Sequence, residues 1–180
     1  DRIKAIEKRL EKVRKQRDQG RRSRKRSEIS TVSLVGYTNA GKSTLFNSVT
    51  KADVFVADQL FATLDPTMRR VELNDIGSVI FADTVGFISH LPHRLVDAFR
   101  ATLEEAASAD LLLHVIDVSA SDRSTNIVRV DEVLKEINAH QLPTLLVYNK
   151  VDLTDEPNPG TERDANETPT AVWVSGLTGE

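Results

Sequence analysis

Short apolar runs recur along the chain and are separated by stretches whose apolar positions have helical spacing. Five of these runs are predicted to be strands: residues 31–35, 78–82, 111–116, 144–148 and 171–174. The run at 111–116 is almost continuously apolar, which is typical of a strand that is covered on both faces. A shorter run at 71–73 leads through a turn at 74–77 into the strand at 78–82, and this predicts a β-hairpin.

Helices are predicted in the intervals between these strands. Residues 125–139 place five apolar side chains on one helical face: Ile127, Val130, Val133, Leu134 and Ile137. A second helical stretch is expected within residues 91–109, beginning near residue 96. Residues 154–169 are polar, acidic and proline-containing, and they are predicted to form a mobile surface loop. Strands that alternate with helices predict an α/β fold, with a mostly parallel sheet, helices on both faces and ligands at the carboxyl ends of the strands.

The first 20 residues have the pattern of a charged helix that ends at Gly20. A narrow apolar stripe runs along it, at spacings of three and four residues: Ile3, Ile6, Leu10 and Val13. This spacing fits one seam of a short coiled coil, which is too short to be stable alone. We therefore predict a basic linker helix at residues 1–28, packed against a part of the protein outside this sequence, and a separate domain at residues 29–180.

The charge distribution supports this division. Residues 1–28 hold 13 Lys and Arg against 5 Asp and Glu, whereas the remaining residues hold 11 against 22. Five of the basic residues form a dense cluster, which either contacts nucleic-acid phosphate or is a solvated linker: Arg21, Arg22, Arg24, Lys25 and Arg26. The sequence has no cysteine, no apolar run long enough to span a membrane and no secretory signal, which suits a cytosolic protein.

One stretch carries specific chemistry, because residues 36–43 match the phosphate-binding loop G-x-x-x-x-G-K-[ST] between a predicted strand and a predicted helix. Its glycines let backbone N–H groups turn toward phosphate oxygens, and the following helix N-terminus adds partial positive charge. Lys42 is predicted to contact the β- and γ-phosphates, and the Ser43 hydroxyl to bind Mg²⁺. The predicted nucleotide contacts here are Gly36, Asn39, Ala40, Gly41, Lys42, Ser43 and Thr44. The alternative is a glycine-rich turn that happens to precede a helix.

Two further motifs follow predicted strands. Asp83 and Gly86 form D-x-x-G after the strand at 78–82, where the carboxylate can hold Mg²⁺ and the glycine N–H can reach the γ-phosphate. Residues 149–152 form N-K-x-D after the strand at 144–148. The Asp152 carboxylate can accept two hydrogen bonds from guanine, whereas adenine offers no such donor pair, which disfavours an ATP-driven enzyme.

The other residues of the predicted base site surround Asp152. Asn149 can meet the other edge of the base, and the alkyl stem of Lys150 can cover its face. Ser175 and Gly176, after the last predicted strand, supply backbone groups near the base. The alternative for residues 149–152 is a polar turn after a strand.

These motifs, in this order and spacing, resemble the translation-factor-class GTPases, and the closer resemblance is to the HflX family within the Obg–HflX group. Residues 58–67 resemble its first switch segment and residues 83–88 its second, while residues 1–26 resemble the end of its helical linker. The resemblance implies a Ras-like P-loop GTPase fold, cleavage of GTP to GDP, a Mg²⁺ cofactor and a cytoplasmic monomer. It also implies association with the large ribosomal subunit and its RNA, and help in splitting ribosomes after stress.

The resemblance also assigns roles to individual residues. Thr63 is expected to join Ser43 and Asp83 around Mg²⁺ in the GTP state, and the expected catalytic residues are Lys42, Thr63 and Gly86. The alternative for Thr63 is an ordinary surface threonine. The amino-terminal domain of the family and the helix that closes its GTPase domain are expected to lie outside this sequence.

Phe87 stands where Ras-like enzymes have the glutamine that orients the attacking water. Because phenylalanine forms no side-chain hydrogen bond, slow intrinsic hydrolysis is expected, with the missing group supplied by a partner or by an arginine of the chain. The candidate arginines are Arg69, Arg70, Arg94 and Arg100, for each of which a surface role is the alternative. A second class of function stays open, namely a nucleotide-gated ribosome-binding module in which hydrolysis only resets binding.

Two residues have competing interpretations. Asn39 either binds K⁺, as in related GTPases with asparagine at this loop position, or only stabilises the turn. His114 lies in a predicted core strand, where we expect it to be packed without a catalytic role.

Overall fold

The computed structural model describes residues 29–51, 66–87, 103–155 and 159–179, together with positions 4, 8, 11, 12, 15, 16, 18–20, 22 and 23. The chain divides into two compact units, Asp1–Ser30 and Thr31–Glu180. None of the helices in the described residues is both long enough and apolar enough to cross a membrane.

The first unit is helical at every described position from Lys4 to Ser23. The predicted end at Gly20 is wrong, because Gly20, Arg22 and Ser23 are all helical. An exposed ion pair joins Lys15 to Glu11 one turn earlier, at 2.9 Å, and solvent screens such a surface pair strongly. The four residues of the apolar stripe lie outside the described residues, so the coiled-coil seam stays a prediction.

The described part of the second unit is built on a seven-stranded sheet. Its strands are β1 (Ser30–Val35), β2 (Thr67–Leu73), β3 (Gly77–Asp83), β4 (Leu111–Asp117), β5 (Thr144–Asn149), β6 (Gly160–Arg163) and β7 (Pro169–Val174). Their spatial order is β2-β3-β1-β4-β5-β7-β6. The β1–β4, β4–β5 and β5–β7 pairs are parallel, whereas the edge strands β2 and β6 run antiparallel to β3 and β7. The predicted mostly parallel sheet is therefore confirmed.

Helices cover both faces of this sheet. They are α1 (Lys42–Thr50) and α2 (Arg123–Glu136), and residues 103–107 are also helical. Phe46 of α1 packs in one buried cluster with Leu34, while Val130 of α2 packs in the opposite cluster with Val35. Leu34 and Val35 belong to different clusters because successive side chains of a strand point to opposite faces. Full burial of a side chain such as Phe46 stabilises the fold by about 1.5–3 kcal/mol.

The predicted surface loop at 154–169 is wrong for residues 160–163, which form β6. This strand pairs through its backbone with β7, and all four of its residues are exposed. An edge strand without a buried face has no alternation of apolar and polar residues, so its sequence gave no strand signal. The turn after it is held by Asp164, whose Oδ1 accepts the N–H groups of Asn166 at 2.8 Å and Thr168 at 3.0 Å.

The hairpin of β2 and β3 is confirmed, with Gly77 at a φ of 89° in its turn. β2 begins at Thr67, four residues before the predicted run at 71–73, because Arg69 and Arg70 interrupt its apolar pattern on an exposed edge. Within the predicted helix at 91–109, the described residues 103–107 are helical, and residues 91–102 lie outside the described residues.

Candidate nucleotide-binding site

The phosphate-binding loop (residues 36–43) connects β1 to α1, in the strand–loop–helix context that its motif requires. Gly41 has a φ of 90°, and a Cβ placed on it would lie 2.3 Å from Nδ2 of Asn149. Only glycine fits this position, because a side chain would be strained and would collide with the neighbouring loop. Asn39 also has a positive φ, of 60°, which asparagine tolerates better than most residues.

Lys42 is buried at the start of α1, and its ammonium group points back into the loop. Nζ donates hydrogen bonds to the carbonyl oxygens of Gly36 at 3.2 Å and Tyr37 at 3.0 Å. Burial lowers the pKa of Lys42 to about 8, although the negative charge of Asp83 acts in the opposite direction. The loop therefore holds a cation that is short of counter-charge, as expected for a site that accepts an anion.

Ser43 and Asp83 meet beside Lys42. The Ser43 Oγ donates a hydrogen bond of 2.7 Å to Oδ2 of Asp83, which is fully buried at the end of β3. A hydroxyl and a carboxylate are hard oxygen donors, and Mg²⁺ in nucleotide sites takes one or two such protein ligands and completes its shell with phosphate and water. These two residues fit Mg²⁺, whereas Thr63, the third predicted ligand, lies outside the described residues.

The D-x-x-G segment is attached directly to the phosphate-binding loop. The Phe87 N–H donates to the Gly36 carbonyl at 3.0 Å, and the Thr38 N–H donates to the Phe87 carbonyl at 2.9 Å. Gly86 is packed so closely that a Cβ on it would lie 2.8 Å from Cα of Thr38 and 3.2 Å from Nζ of Lys42. The predicted catalytic residues Lys42 and Gly86 are therefore neighbours.

The Phe87 ring has a structural role that the sequence did not indicate. The residue is 1% exposed and belongs to the buried cluster that contains Val130 of α2. The absence of the glutamine found in Ras-like enzymes does not by itself indicate that the residue is buried. The apolar character of the position could have suggested burial, but a single phenylalanine after a turn does not identify the cluster it joins.

Asn149 connects three loops. Its side-chain Nδ2 donates to the Ala40 carbonyl at 3.0 Å, and its Oδ1 accepts the Gly176 N–H at 2.9 Å. The partners are 109 and 27 residues away in sequence, so the sequence could not reveal them. The side chain predicted to meet the base edge thus also holds the base-recognition loop (residues 149–152) against the phosphate-binding loop.

Asp152 is oriented by Ser175. The Ser175 Oγ donates to Oδ1 of Asp152 at 2.5 Å and accepts the Thr178 N–H at 3.1 Å. From the sequence, Ser175 was expected to supply only backbone groups near the base. The hydrogen bond from its side chain to Asp152 was not predicted. Lys150, between Asn149 and Asp152, has a φ of 69° and forms an ion pair of 2.7 Å with Asp117 at the end of β4.

His114 is packed in the core strand β4, 2% exposed, as predicted. Burial and the positive charge of Lys42 lower its pKa to about 4, so the ring is neutral at pH 7. It lines a cavity of about 270 Å³ between the phosphate-binding loop and the start of α2, together with Thr38, Asn39 and Asn126.

Of the candidate arginines, Arg70 is directed away from the site. Its guanidinium contacts Glu72 and Ser78, which are nearer to the hairpin turn than to Asp83. Arg69 is exposed and donates to the Met68 carbonyl at 3.0 Å. Arg94 and Arg100 lie outside the described residues.

These loops all lie at the carboxyl ends of β1, β3, β5 and β7, where a parallel α/β sheet binds its ligands. Together with the strand order, they define a P-loop nucleotide-binding domain of the Ras-like class. A family model described as a 50S ribosome-binding GTPase matches residues 31–150, and the chain belongs to this family of GTPases.

Curated relatives agree with this family. The GTPase HflX of Escherichia coli is 58% identical over 179 residues, which cover 99% of this chain and 42% of the relative. The GTPase HflX of Magnetococcus marinus is 50% identical over 180 residues, which cover 100% of this chain and 41% of the relative. The resemblance to the HflX family is thereby confirmed, and the chain spans about two-fifths of the length of these relatives.

Solved structures confirm the fold. A GTP-binding protein from the archaeon Sulfolobus solfataricus, in complex with GDP, matches with a TM-score of 0.63 and 28% identity, over 98% of this chain and 54% of that chain. Era, in complex with MgGDPNP and nucleotides of 16S ribosomal RNA, matches with a TM-score of 0.66 and 23% identity, over 84% of this chain and 52% of that chain. The second match shows the fold alone.

Proposed function

We propose that this domain binds GTP and GDP with Mg²⁺ and hydrolyses GTP, within a cytoplasmic, monomeric protein that associates with the large ribosomal subunit and its RNA. The family match and the HflX relatives support the ribosomal partner. The observation that carries the nucleotide assignment is Asn149, which holds the base-recognition loop against the phosphate-binding loop through the Ala40 carbonyl. A nucleotide carries its base at one end and its phosphates at the other, and this hydrogen bond joins the two loops that are proposed to hold them.

The phosphate end of this site is assigned to the phosphate-binding loop, the D-x-x-G segment and Thr63. Lys42 and the loop N–H groups hold the phosphates, and Ser43 and Asp83 hold Mg²⁺, which supplies charge neutralisation and orientation of the phosphate oxygens when it is bound. Gly86 lies next to Lys42 and presents its backbone where a γ-phosphate would be contacted. We also propose that Thr63 completes the Mg²⁺ ligands in the GTP state, with Gly36, Asn39, Gly41 and Thr44 lining the loop.

The base end is assigned to Asp152, whose carboxylate is held by the Ser175 hydroxyl. Guanine presents two adjacent donors to such a carboxylate, whereas adenine would leave it unpaired, and a site built to hydrogen-bond strongly rejects a ligand that lacks the partner. The proposed specificity is therefore for guanine, with Gly176 fixed beside it by Asn149.

Replacement of Asp152 tests the base assignment. Asp152→Asn exchanges an acceptor for a donor, so preference should move from GTP toward xanthosine triphosphate, whose base carries an oxygen at that position. The loss for GTP should be about 2–5 kcal/mol, the range for truncating one partner of a buried charged hydrogen bond. Competition titration of both nucleotides measures the change. Retained preference for GTP would show that Asp152 does not contact the base.

Hydrolysis is proposed to be slow without a partner, because Phe87 is buried and offers no group to orient water. A partner that supplies the missing catalytic group raises the rate of GTP hydrolysis by about 10³–10⁵-fold. The rate of GTP hydrolysis, measured with and without large ribosomal subunits, distinguishes two functions. The chain is either an enzyme or a nucleotide-gated binding module in which hydrolysis only resets binding. Turnover of about 1 per second by the isolated chain would instead place the group within residues 1–180. We propose that this cycle of GTP binding and hydrolysis serves the splitting of ribosomes after stress.

Asn39 is a proposed K⁺ ligand. Its backbone has a positive φ at the mouth of the phosphate-binding loop, and its side chain borders the cavity next to Thr38. The expectation is faster turnover in potassium than in sodium buffer at equal ionic strength, with the difference lost in Asn39→Ala. Equal turnover in the two buffers leaves Asn39 as a residue that only stabilises the turn.

A further inference from the structure

Asp117 lies at the junction of the two loops that are proposed to hold the nucleotide. It is the last residue of β4 and stands opposite Asn149, the last residue of β5, in the parallel register of the two strands. The Val118 N–H then donates to the Asn149 carbonyl at 3.0 Å, so the chain leaving β4 follows the start of the base-recognition loop. The position of the Asp117 carboxylate is therefore fixed relative to that loop by the sheet itself.

The carboxylate uses both of its oxygens. Oδ2 accepts from Nζ of Lys150 at 2.7 Å, while Oδ1 accepts from the N–H of Ser119 at 2.9 Å and from its Oγ at 2.6 Å. The side chains of Asp117 and Lys150 are 20% and 28% exposed, so solvent screens this pair less than a surface pair. Burial acts to raise the pKa of Asp117, but the hydrogen bonds from Lys150 and Ser119 outweigh it and lower the pKa, which keeps the group ionised at neutral pH.

The stem of Lys150 extends between two fixed points. Its backbone has a φ of 69°, a left-handed conformation that is unfavourable for lysine and must be held by its surroundings. Its Cε lies 3.7 Å from the position of a Cβ on Gly41, at the end of the phosphate-binding loop. The stem therefore passes along the phosphate-binding loop, and its ammonium group is held by Asp117.

From this geometry we propose that Asp117 is a positioning residue for nucleotide binding, which holds the Lys150 stem in place over the face of the base. The inference rests on the proposed role of residues 149–152 as the base-recognition loop. A lysine that is ordered before binding loses little side-chain freedom when the nucleotide arrives, whereas an untethered lysine must be ordered at that moment. The expected consequence is a longer residence time of the bound nucleotide.

The test is a double-mutant cycle on the dissociation rate of a fluorescent GDP analogue from the full 180-residue chain. Asp117→Asn should accelerate dissociation by about three- to tenfold, the range for immobilising one long side chain. Lys150→Met keeps the stem and removes the ammonium, so it should accelerate dissociation similarly. In the Lys150→Met background, Asp117→Asn should then have no further effect. An equal effect in both backgrounds, or none in either, overturns the proposal.

Asp122→Asn is the matched control. Asp122 is an exposed aspartate five residues after Asp117, at the start of α2, and no side-chain cap holds the helix there. Its replacement removes the same charge close to the site and should leave dissociation unchanged. A comparable acceleration would assign the effect to local charge and overturn the proposal. If Asp117→Asn does not fold, Lys150→Met alone breaks the same pair, and unaltered dissociation from that variant overturns the proposal.

Asp152→Asn, measured in parallel, separates this inference from the proposed function. If Asp152→Asn leaves guanine preference intact, the base-recognition loop itself is misassigned. If Asp152→Asn shifts the preference while Asp117→Asn has no effect on dissociation, the loop assignment stands and the positioning role of Asp117 is wrong.

Discussion

Lys42 and His114 are two basic side chains buried close together beneath the phosphate-binding loop. The pKa of His114 is lowered to about 4 and that of Lys42 to about 8, in each case chiefly by burial. At pH 7 the positive charge is thus carried by Lys42 alone, and His114 contributes as a neutral packed ring. A phosphate group in the loop would supply the negative charge that Lys42 lacks and would raise its pKa again.

This charge balance predicts proton uptake on nucleotide binding. Between pH 8 and the ordinary lysine pKa of 10.5, the free site has lost a proton that the occupied site retains, so GDP affinity should fall as pH rises above about 8. Calorimetry of GDP binding at pH 9 in buffers of different ionisation enthalpy measures the uptake. Lys42→Arg is the control, because its guanidinium stays charged and should show no uptake from this position. Absence of uptake by the unaltered chain would contradict the prediction.

At the scale of elements, the segment that ends β3 is bound to the loop that ends β1. Phe87 exchanges two backbone hydrogen bonds with Gly36 and Thr38, and its ring is buried against the α2 side of the sheet. This segment is therefore held to the phosphate-binding loop by its backbone and packs through its ring in the cluster that contains side chains of α2. Gly86 is at the point of closest approach, where no side chain fits.

Gly86→Ala should separate the two segments. Its Cβ would lie 2.8 Å from Cα of Thr38, so the backbone must shift, at a stability cost of about 1–3 kcal/mol for overpacking. A displacement near 1 Å at a reacting centre lowers turnover by about 10²-fold, and ribosome-stimulated hydrolysis should fall by that order. Gly160→Ala is the matched control, because among the described residues no heavy atom outside its two chain neighbours lies within 4 Å of its Cβ position, and both turnover and melting temperature should be retained. Normal hydrolysis by Gly86→Ala would refute the close-approach argument.

At the scale of the whole molecule, the chain combines a basic helical unit with an acidic nucleotide-binding unit. Residues 1–28 carry 13 Lys and Arg against 5 Asp and Glu, while the formal net charge of the chain is −3. A polyanion such as ribosomal RNA should therefore attract the first unit and be repelled by much of the second. The described positions from Lys4 to Ser23 are helical and mostly exposed, which leaves their basic groups accessible.

Because of this asymmetry, we expect residues 1–28 to cause the salt dependence of the affinity for RNA. Each phosphate contact contributes roughly −0.7 to −0.9 to the slope of log affinity against log salt concentration. Deletion of residues 1–28 should flatten that slope and leave GDP affinity nearly unchanged, because all residues of the proposed nucleotide site belong to the unit Thr31–Glu180. Affinities for ribosomal RNA at several salt concentrations provide the measurement. An unchanged slope would assign the contact to the acidic unit or to parts of the protein outside this sequence.

The sequence alone determined the class of fold and the positions of the three nucleotide motifs. Both depend on local patterns: apolar runs at strand or helix spacing, and residue types that phosphate and guanine chemistry require within a few positions of each other. The two predictions that were wrong, for β6 and for the end of the N-terminal helix, also have local causes. β6 has no apolar alternation because it is an exposed edge strand, and the N-terminal helix continues past Gly20 because a single glycine only weakens a helix.

The tertiary structure decided which side chains meet. Asn149 reaches the Ala40 carbonyl, and Lys150 reaches Asp117, because the strand order brings the ends of β1, β4 and β5 together. These partners are 109 and 33 residues apart, and no periodicity along a chain encodes such a distance. The sequence supplied the chemical groups of the site, and only the packing of the parallel sheet fixed the contacts that hold them in position.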